Sequence, residues 1–132
     1  KKAVNHAISL AATTGASLVA LKIVPRYPMS FFEGSATVSI DTIKAAEAKW
    51  ADDAGVQLDS IVAEAASAGV KAKATVVKSD LIAESIISAA KKHKADIVVM
   101  ASHGRKGLKR ILLGSEALAV LTHSEVPVLI LR

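Results

Sequence analysis

A chain of 132 residues, 52% of them apolar and none of them cysteine, can bury a core of its own. The lack of cysteine excludes disulfide staples, thiolate metal sites and a cysteine nucleophile, and it suits a reducing cytoplasm. The net charge of +5 favours an anionic partner, and no apolar run approaches the roughly 18 residues that a membrane helix needs.

In chain order the pattern alternates helix and strand. Val4, Ala7, Ile8 and Ala11 recur at helical spacing and Gly15 stops them. Ser17–Val24 is a β-branched apolar run ended by Pro25, the signature of a strand covered on both faces. A loop with Pro25, Pro28 and Gly34 carries Tyr27, Phe31 and Phe32, the aromatics serving as anchors or as a lid. From Val38 to Ala68, Ile40, Ile43, Trp50, Ala54, Leu58, Ile61 and Ala65 form one face of a long helix, with Gly55 a weak point and Gly69 the stop. Trp50 reads as a packing residue of that face, and Asp52 and Asp53 beside Lys49 as its charged outer side.

Val70–Val77 alternates like an edge strand. Ser79 or Asp80 is placed to cap the next helix, whose apolar face is Ile82, Ile86, Ile87 and Ala90 and whose end is basic. Ala95–Ser102 is a second continuous apolar strand. A loop over His103–Leu113 leads to a helix at about Glu116–His123, and Val126–Leu131 is the last strand, with Pro127 suited to an edge. Alternating strands and helices predict an α/β fold: one doubly wound parallel sheet, Rossmann-like, with helices on both faces and right-handed crossovers. Such a sheet ordinarily starts with a strand that becomes central. This chain starts at Lys1 inside a helical pattern, so that strand is expected outside the sequence and the domain over 1–132 is expected to be N-terminally incomplete.

The segment from Met100 to Ser115 carries the chemistry. It leaves the C-terminal end of a buried strand and enters a helix N-terminus, the place where open α/β sheets bind ligands. Glycines let backbone amides approach a phosphate, Ser115 adds a hydroxyl donor, and the helix dipole favours negative charge. Arg105, Lys106, Lys109 and Arg110 concentrate positive charge there, for phosphate steering or as a solvated face.

This segment resembles the ATP-binding signature of the universal stress protein family: glycine, two residues, glycine, nine residues, glycine, then serine or threonine. Gly104, the nine residues Arg105–Leu113 and Gly114-Ser115 match it, while Ala101 stands at the first glycine. The resemblance runs in order along the whole chain, from Leu21-Lys22-Ile23-Val24 through the long helix to the closing Val-Pro-Val-Leu-Ile-Leu-Arg. It implies ATP as the bound cofactor, with Mg2+ or Mn2+ as its companion cation. Ile23 would read the adenine edge with its backbone, Met100 and Ala101 would flank the nucleoside, and Gly104, Gly114 and Ser115 would hold phosphates. His103 and Arg105 belong to the same loop. Glu116 departs from the family, where this position is often apolar, and a carboxylate there repels phosphates unless it turns to solvent or to Arg105. The family aspartate that follows the first strand, reads adenine and helps to hold the cation has no stand-in here.

His103 is a general base or a polar surface residue, and His6, His93 and His123 have no metal-site spacing. The resemblance implies a stress-response or signalling module that binds an adenine nucleotide and is not a fast enzyme. The first alternative is a slow ATPase or phosphotransferase, against which stands the lack of a Walker lysine or a carboxylate pair for magnesium. A nucleic-acid-binding protein is the second, suggested by the pI of 9.6 but lacking an aromatic-basic platform. Because Val126–Leu131 is apolar at every position and ends the sheet, a homodimer through this strand is also expected.

Overall fold

The computed structural model describes residues 2–26, 39–102 and 113–132. Helix α1 (Lys2–Thr14) is followed by β1 (Leu18–Val24), α2 (Ile40–Ser67) and β2 (Ala72–Lys78). Then come α3 (Ile82–Lys92), β3 (Val98–Ala101), α4 (Ser115–His123) and β4 (Val128–Leu131). All pairings are parallel: β1 with β2 from Leu18↔Ala72 to Val24↔Lys78, and β3 with β4 from Val98↔Val128 to Ala101↔Leu131. The fold is therefore α/β with parallel strands joined through helices, hydrogen-bonded among the described residues as two strand pairs. Helix α1 packs on α2 and reaches both pairs, whereas α3 packs on α4.

The apolar cluster of Ile8 and Ala11 from α1, Ala65 from α2 and Val70 sits where β1 and β2 begin, with Val4, Leu18 and Ala72 against it. Along α2 the buried residues are Ala54, Leu58 and Ala65, the spacing of four and seven that the helical pattern requires. Ile40, assigned to that face from its spacing, is 69% exposed, because it is the first residue of the helix and lies beyond the packed face. Trp50 is half-buried and Asp53 pairs with Lys49 at 3.5 Å on the outer side.

Strands begin later than the apolar runs suggest, and hydrogen bonds explain why. The Ala95 amide is taken by the Ala90 carbonyl at 2.9 Å, so β3 starts only at Val98, whose amide donates to Pro127. The Val126 amide is held by Ser124 Oγ at 3.2 Å and Pro127 has none to give, so β4 starts at Val128. Helix α2 is capped by Ser39, whose hydroxyl oxygen accepts from the Thr42 amide at 3.1 Å.

Helices α2 and α3 end alike. After α2, Val70 donates to Ala65 and Gly69 to Ala66; after α3, Ala95 donates to Ala90 and Lys94 to Lys91. Both patterns need a left-handed residue at the turn. Gly69 supplies it at φ 77°, but at the end of α3 the residue is Lys94, at φ 52°. Lys94→Gly is therefore expected to stabilise the fold by about 0.5–1 kcal/mol, since glycine avoids the left-handed penalty of a Cβ. Gly69→Ala should cost about 1 kcal/mol through φ alone, because a Cβ there meets nothing within 4 Å. Urea unfolding of the two variants checks both signs.

Candidate functional site

Residues Met100, Ala101, Ser102, Gly114, Ser115 and Glu116 come together at the C-terminal end of β3. The Ser102 amide donates to the Leu131 carbonyl at 2.7 Å, extending the β3–β4 ladder by one step. The Gly114 amide donates to the Ser102 carbonyl, also at 2.7 Å, so the two ends of the connecting segment are tied at its base. Ser102 is buried. It is the residue that sequence reasoning passed over, although a small polar residue closing an apolar strand was the available signal. His103, Gly104 and Arg105 lie outside the described residues, as do Phe31, Phe32 and the basic cluster Arg105–Arg110.

Gly114 is the N-cap of α4 at φ −67° and ψ 157°, ordinary extended backbone. Positive φ is therefore not the reason for glycine at this position. What glycine supplies is the lack of a side chain beside the helix start: among the described residues no acceptor meets the amides of Ser115, Glu116 and Ala117. Those amides, with the exposed Ser115 hydroxyl, form a donor set at the positive end of a helix dipole.

Glu116 does not point at that donor set's opening. Its Oε2 accepts from the Ala83 amide of α3 at 3.2 Å, so the carboxylate of one helix caps the next. This corrects the expected cap of α3. Its N-cap is Leu81, without a side-chain bond; Ser79 Oγ accepts from Leu81 at 3.0 Å, and Asp80 Oδ1 accepts from Arg26 at 3.0 Å, beyond the end of β1. Partners separated by 33 and 54 residues leave no signal in local sequence.

Ile23 belongs to the other strand pair. The Leu18 amide donates to Lys71 and the Val24 carbonyl accepts from Ser79, so even-numbered residues of β1 turn their backbone groups toward β2. Strand alternation then turns the amide and carbonyl of Ile23 to the opposite edge. The same reasoning on Val98 and Ser102, both bonded toward β4, turns the backbone of Ala101 away from β4. Among the described residues, Ile23 and Ala101 thus each offer unshared backbone groups at strand edges. A cleft of about 410 Å³ beside Ile23 is walled by Pro25, Trp50, Asp53 and Gln57, putting α2 against this end of β1. Of the scattered histidines, His6 is exposed, His93 is the C-cap of α3, and His123 Nδ1 lies 3.0 Å from the Ala119 carbonyl. Among the described residues no three histidine, aspartate or glutamate side chains gather as metal ligands, and no helix is long and apolar enough to cross a membrane.

A parallel α/β fold with a glycine-capped helix start at the C-terminal end of its strands defines a class of small Rossmann-like proteins. Residues 1–132 match the Universal stress protein family, and the chain belongs to that family. It is 31% identical over 133 residues to universal stress protein MJ0531 of Methanocaldococcus jannaschii, covering 99% of this chain and 74% of that one. To MJ0577 of the same organism it is 34% identical over 84 residues, 64% of this chain and 51% of that one. The structure of MJ0577 superposes with a TM-score of 0.81 at 26% identity, covering 98% of this chain and 84% of that one. UspA from Lactobacillus plantarum gives 0.81 at 21% identity, with 99% and 88% covered. A universal stress protein solved in complex with cAMP gives 0.68 at 23% identity, with 99% and 87% covered.

Proposed function

We propose that residues 1–132 form one adenine-nucleotide-binding domain that acts as a stress-response or signalling module rather than as a fast enzyme. The observation that carries this reading is the helix start at Gly114-Ser115, fastened to the end of β3 through Ser102 and offering three amides and a hydroxyl without acceptors among the described residues. Such a donor set suits phosphate oxygens, and hydrogen bonds to charged groups contribute about 1.5–3 kcal/mol each. Ser115 and Gly114 would hold phosphate, with Gly104, Arg105 and His103 expected from the family signature. Met100 and Ala101 would flank the nucleoside, and the outward backbone groups of Ile23 would read the adenine edge. The family member solved with cAMP, and one from Archaeoglobus fulgidus solved with dAMP at 14% identity and a TM-score of 0.60, hold ligands of the same chemistry. The Ile23 reading predicts base selectivity: ATP should bind more tightly than GTP in titration calorimetry, and equal affinities would overturn it.

Hydrolysis should be slow, with turnover below about one per second, the low end of ordinary enzymes. The donor set serves ground-state phosphate, whereas catalysis needs interactions that strengthen in the transition state. A phosphate-release assay checks this, and faster turnover abolished by His103→Ala would make His103 a general base. A divalent cation would enter with the nucleotide's phosphates. We further propose a homodimer through β4 and a cytoplasmic location, which the cysteine-free chain suits.

A further inference from the structure

We infer that the outer edge of β2 receives an extended segment of a partner protein as an added strand, acidic on one face and apolar on the other. Among the described residues β2 pairs with β1 alone, so its second edge is open. The Lys71 carbonyl accepts from Leu18 and the Ser79 amide donates to Val24, which turns the odd-numbered backbone groups toward β1. Strand alternation then turns the amides and carbonyls of Ala72, Ala74, Val76 and Lys78 outward, a row about 20 Å long. The side chains along this edge are sorted by face. Ala72 packs against the apolar cluster of α1 and α2, and Lys78 Nζ lies 3.1 Å from Glu47 Oε2 of α2. The even-numbered side chains therefore share the face that α2 covers, and at the edge that cover is incomplete, because Ala74 and Val76 are exposed. Lys73 lies on the other face, with Lys71 two residues before it. Both are exposed, and among the described residues neither is in an ion pair.

Lysines on a strand edge ordinarily keep other strands away. That guard depends on the charge of the approaching strand. Residues 70–78 hold three lysines and no carboxylate, so β2 of a second copy would bring lysines against lysines. Like charges across a strand pair are destabilising. An acidic strand meets the opposite balance: its carboxylates face Lys71 and Lys73 while its backbone completes the open ladder. On its other face, apolar side chains cover Ala74 and Val76 and remove their surface from water. The net charge of +5 adds a longer-range attraction for such a segment.

The probe is a short fluorescein-labelled peptide of alternating glutamate and valine, titrated with the whole chain and read by fluorescence anisotropy. A control peptide has the same composition, with its glutamates and valines in separate blocks. The alternating peptide should bind about tenfold more tightly than the blocked one, and added salt should weaken it. Lys73→Glu should weaken it about tenfold or more, because the charge facing the peptide's carboxylates is reversed. Ala74→Pro removes one outward amide and leaves the β1–β2 ladder whole, since that N–H faces away from β1. It should weaken binding about as much as Lys73→Glu although the charge is unchanged. In amide NMR spectra of the wild type, the signals of Ala74 and Val76 should shift during the titration. The two variants act through different groups, so either one decides the matter if the other folds poorly. No binding of the alternating peptide, or equal binding of both peptides, would overturn the inference. Binding that ignores both variants would place the peptide elsewhere on this basic chain and overturn it as well.

Discussion

Gly114→Val is expected to reduce nucleotide affinity by about a hundredfold or more while the chain remains folded, a loss of nearly 3 kcal/mol. The backbone at Gly114 is extended, at φ −67° and ψ 157°, a region open to valine, so the substitution adds no backbone strain. Its amide bond to the Ser102 carbonyl also survives, since no side-chain atom takes part. Valine is a poorer N-cap than glycine, which should lower stability by about 1 kcal/mol. Binding suffers for a different reason. Two methyl groups at the cap crowd the approach to the amides of Ser115 and Glu116, which phosphate must reach to about 2.9 Å. Ser115→Ala removes one hydroxyl donor and should cost only about 1–2 kcal/mol. Calorimetry with ATP, alongside thermal unfolding, checks both. Wild-type affinity in the valine variant would move the phosphate site away from the start of α4.

The physical origin of that loss shows which parts of the site local sequence can encode. Glycine at 114 and serine at 115 were legible because a helix start after a buried strand is a local pattern. That Gly114 lies in extended backbone was not, since only the observed dihedral angles separate freedom of φ from lack of a side chain. The alternation of strands and helices was likewise local, and the family's whole-chain match agrees with it. Strand starts were misplaced by two or three residues at Val98 and Val128 because turn hydrogen bonds claim the preceding amides. The cap of α3 was misassigned to Ser79 or Asp80 for a deeper reason. Both side chains bond elsewhere, and the acceptor at Ala83 arrives from Glu116, brought there by packing of two helices far apart in sequence. Contacts of this kind depend on tertiary structure, and local sequence does not carry them.

Leu129→Lys should convert a dimer of this chain into a monomer. Strand β4 pairs with β3 on one side, and among the described residues no strand joins its other edge. An uncovered edge without charges invites another strand, and Val128–Leu131 carries none. The neighbouring helix adds to this surface. Ala117 and Val120 of α4 face the sheet, and Glu116 bonds sideways to α3, which packs toward β1. A rotation of about 100° per residue then puts Leu118 and Leu121 on the flank of α4 away from α3. They are 52% and 47% exposed, and Leu129 is 36% exposed, so three leucines are open to a partner. A second copy related by a two-fold axis would cover all three in an isologous interface. A lysine at 129 places a charge against its own symmetry mate and leaves both without a partner, a penalty of several kcal/mol. Leu131→Lys should act alike, while affinity at the proposed nucleotide site at the start of α4 should not change. Light scattering at tens of micromolar reads the result. A wild-type monomer, or a dimer indifferent to both lysines, would place the interface elsewhere or abolish it.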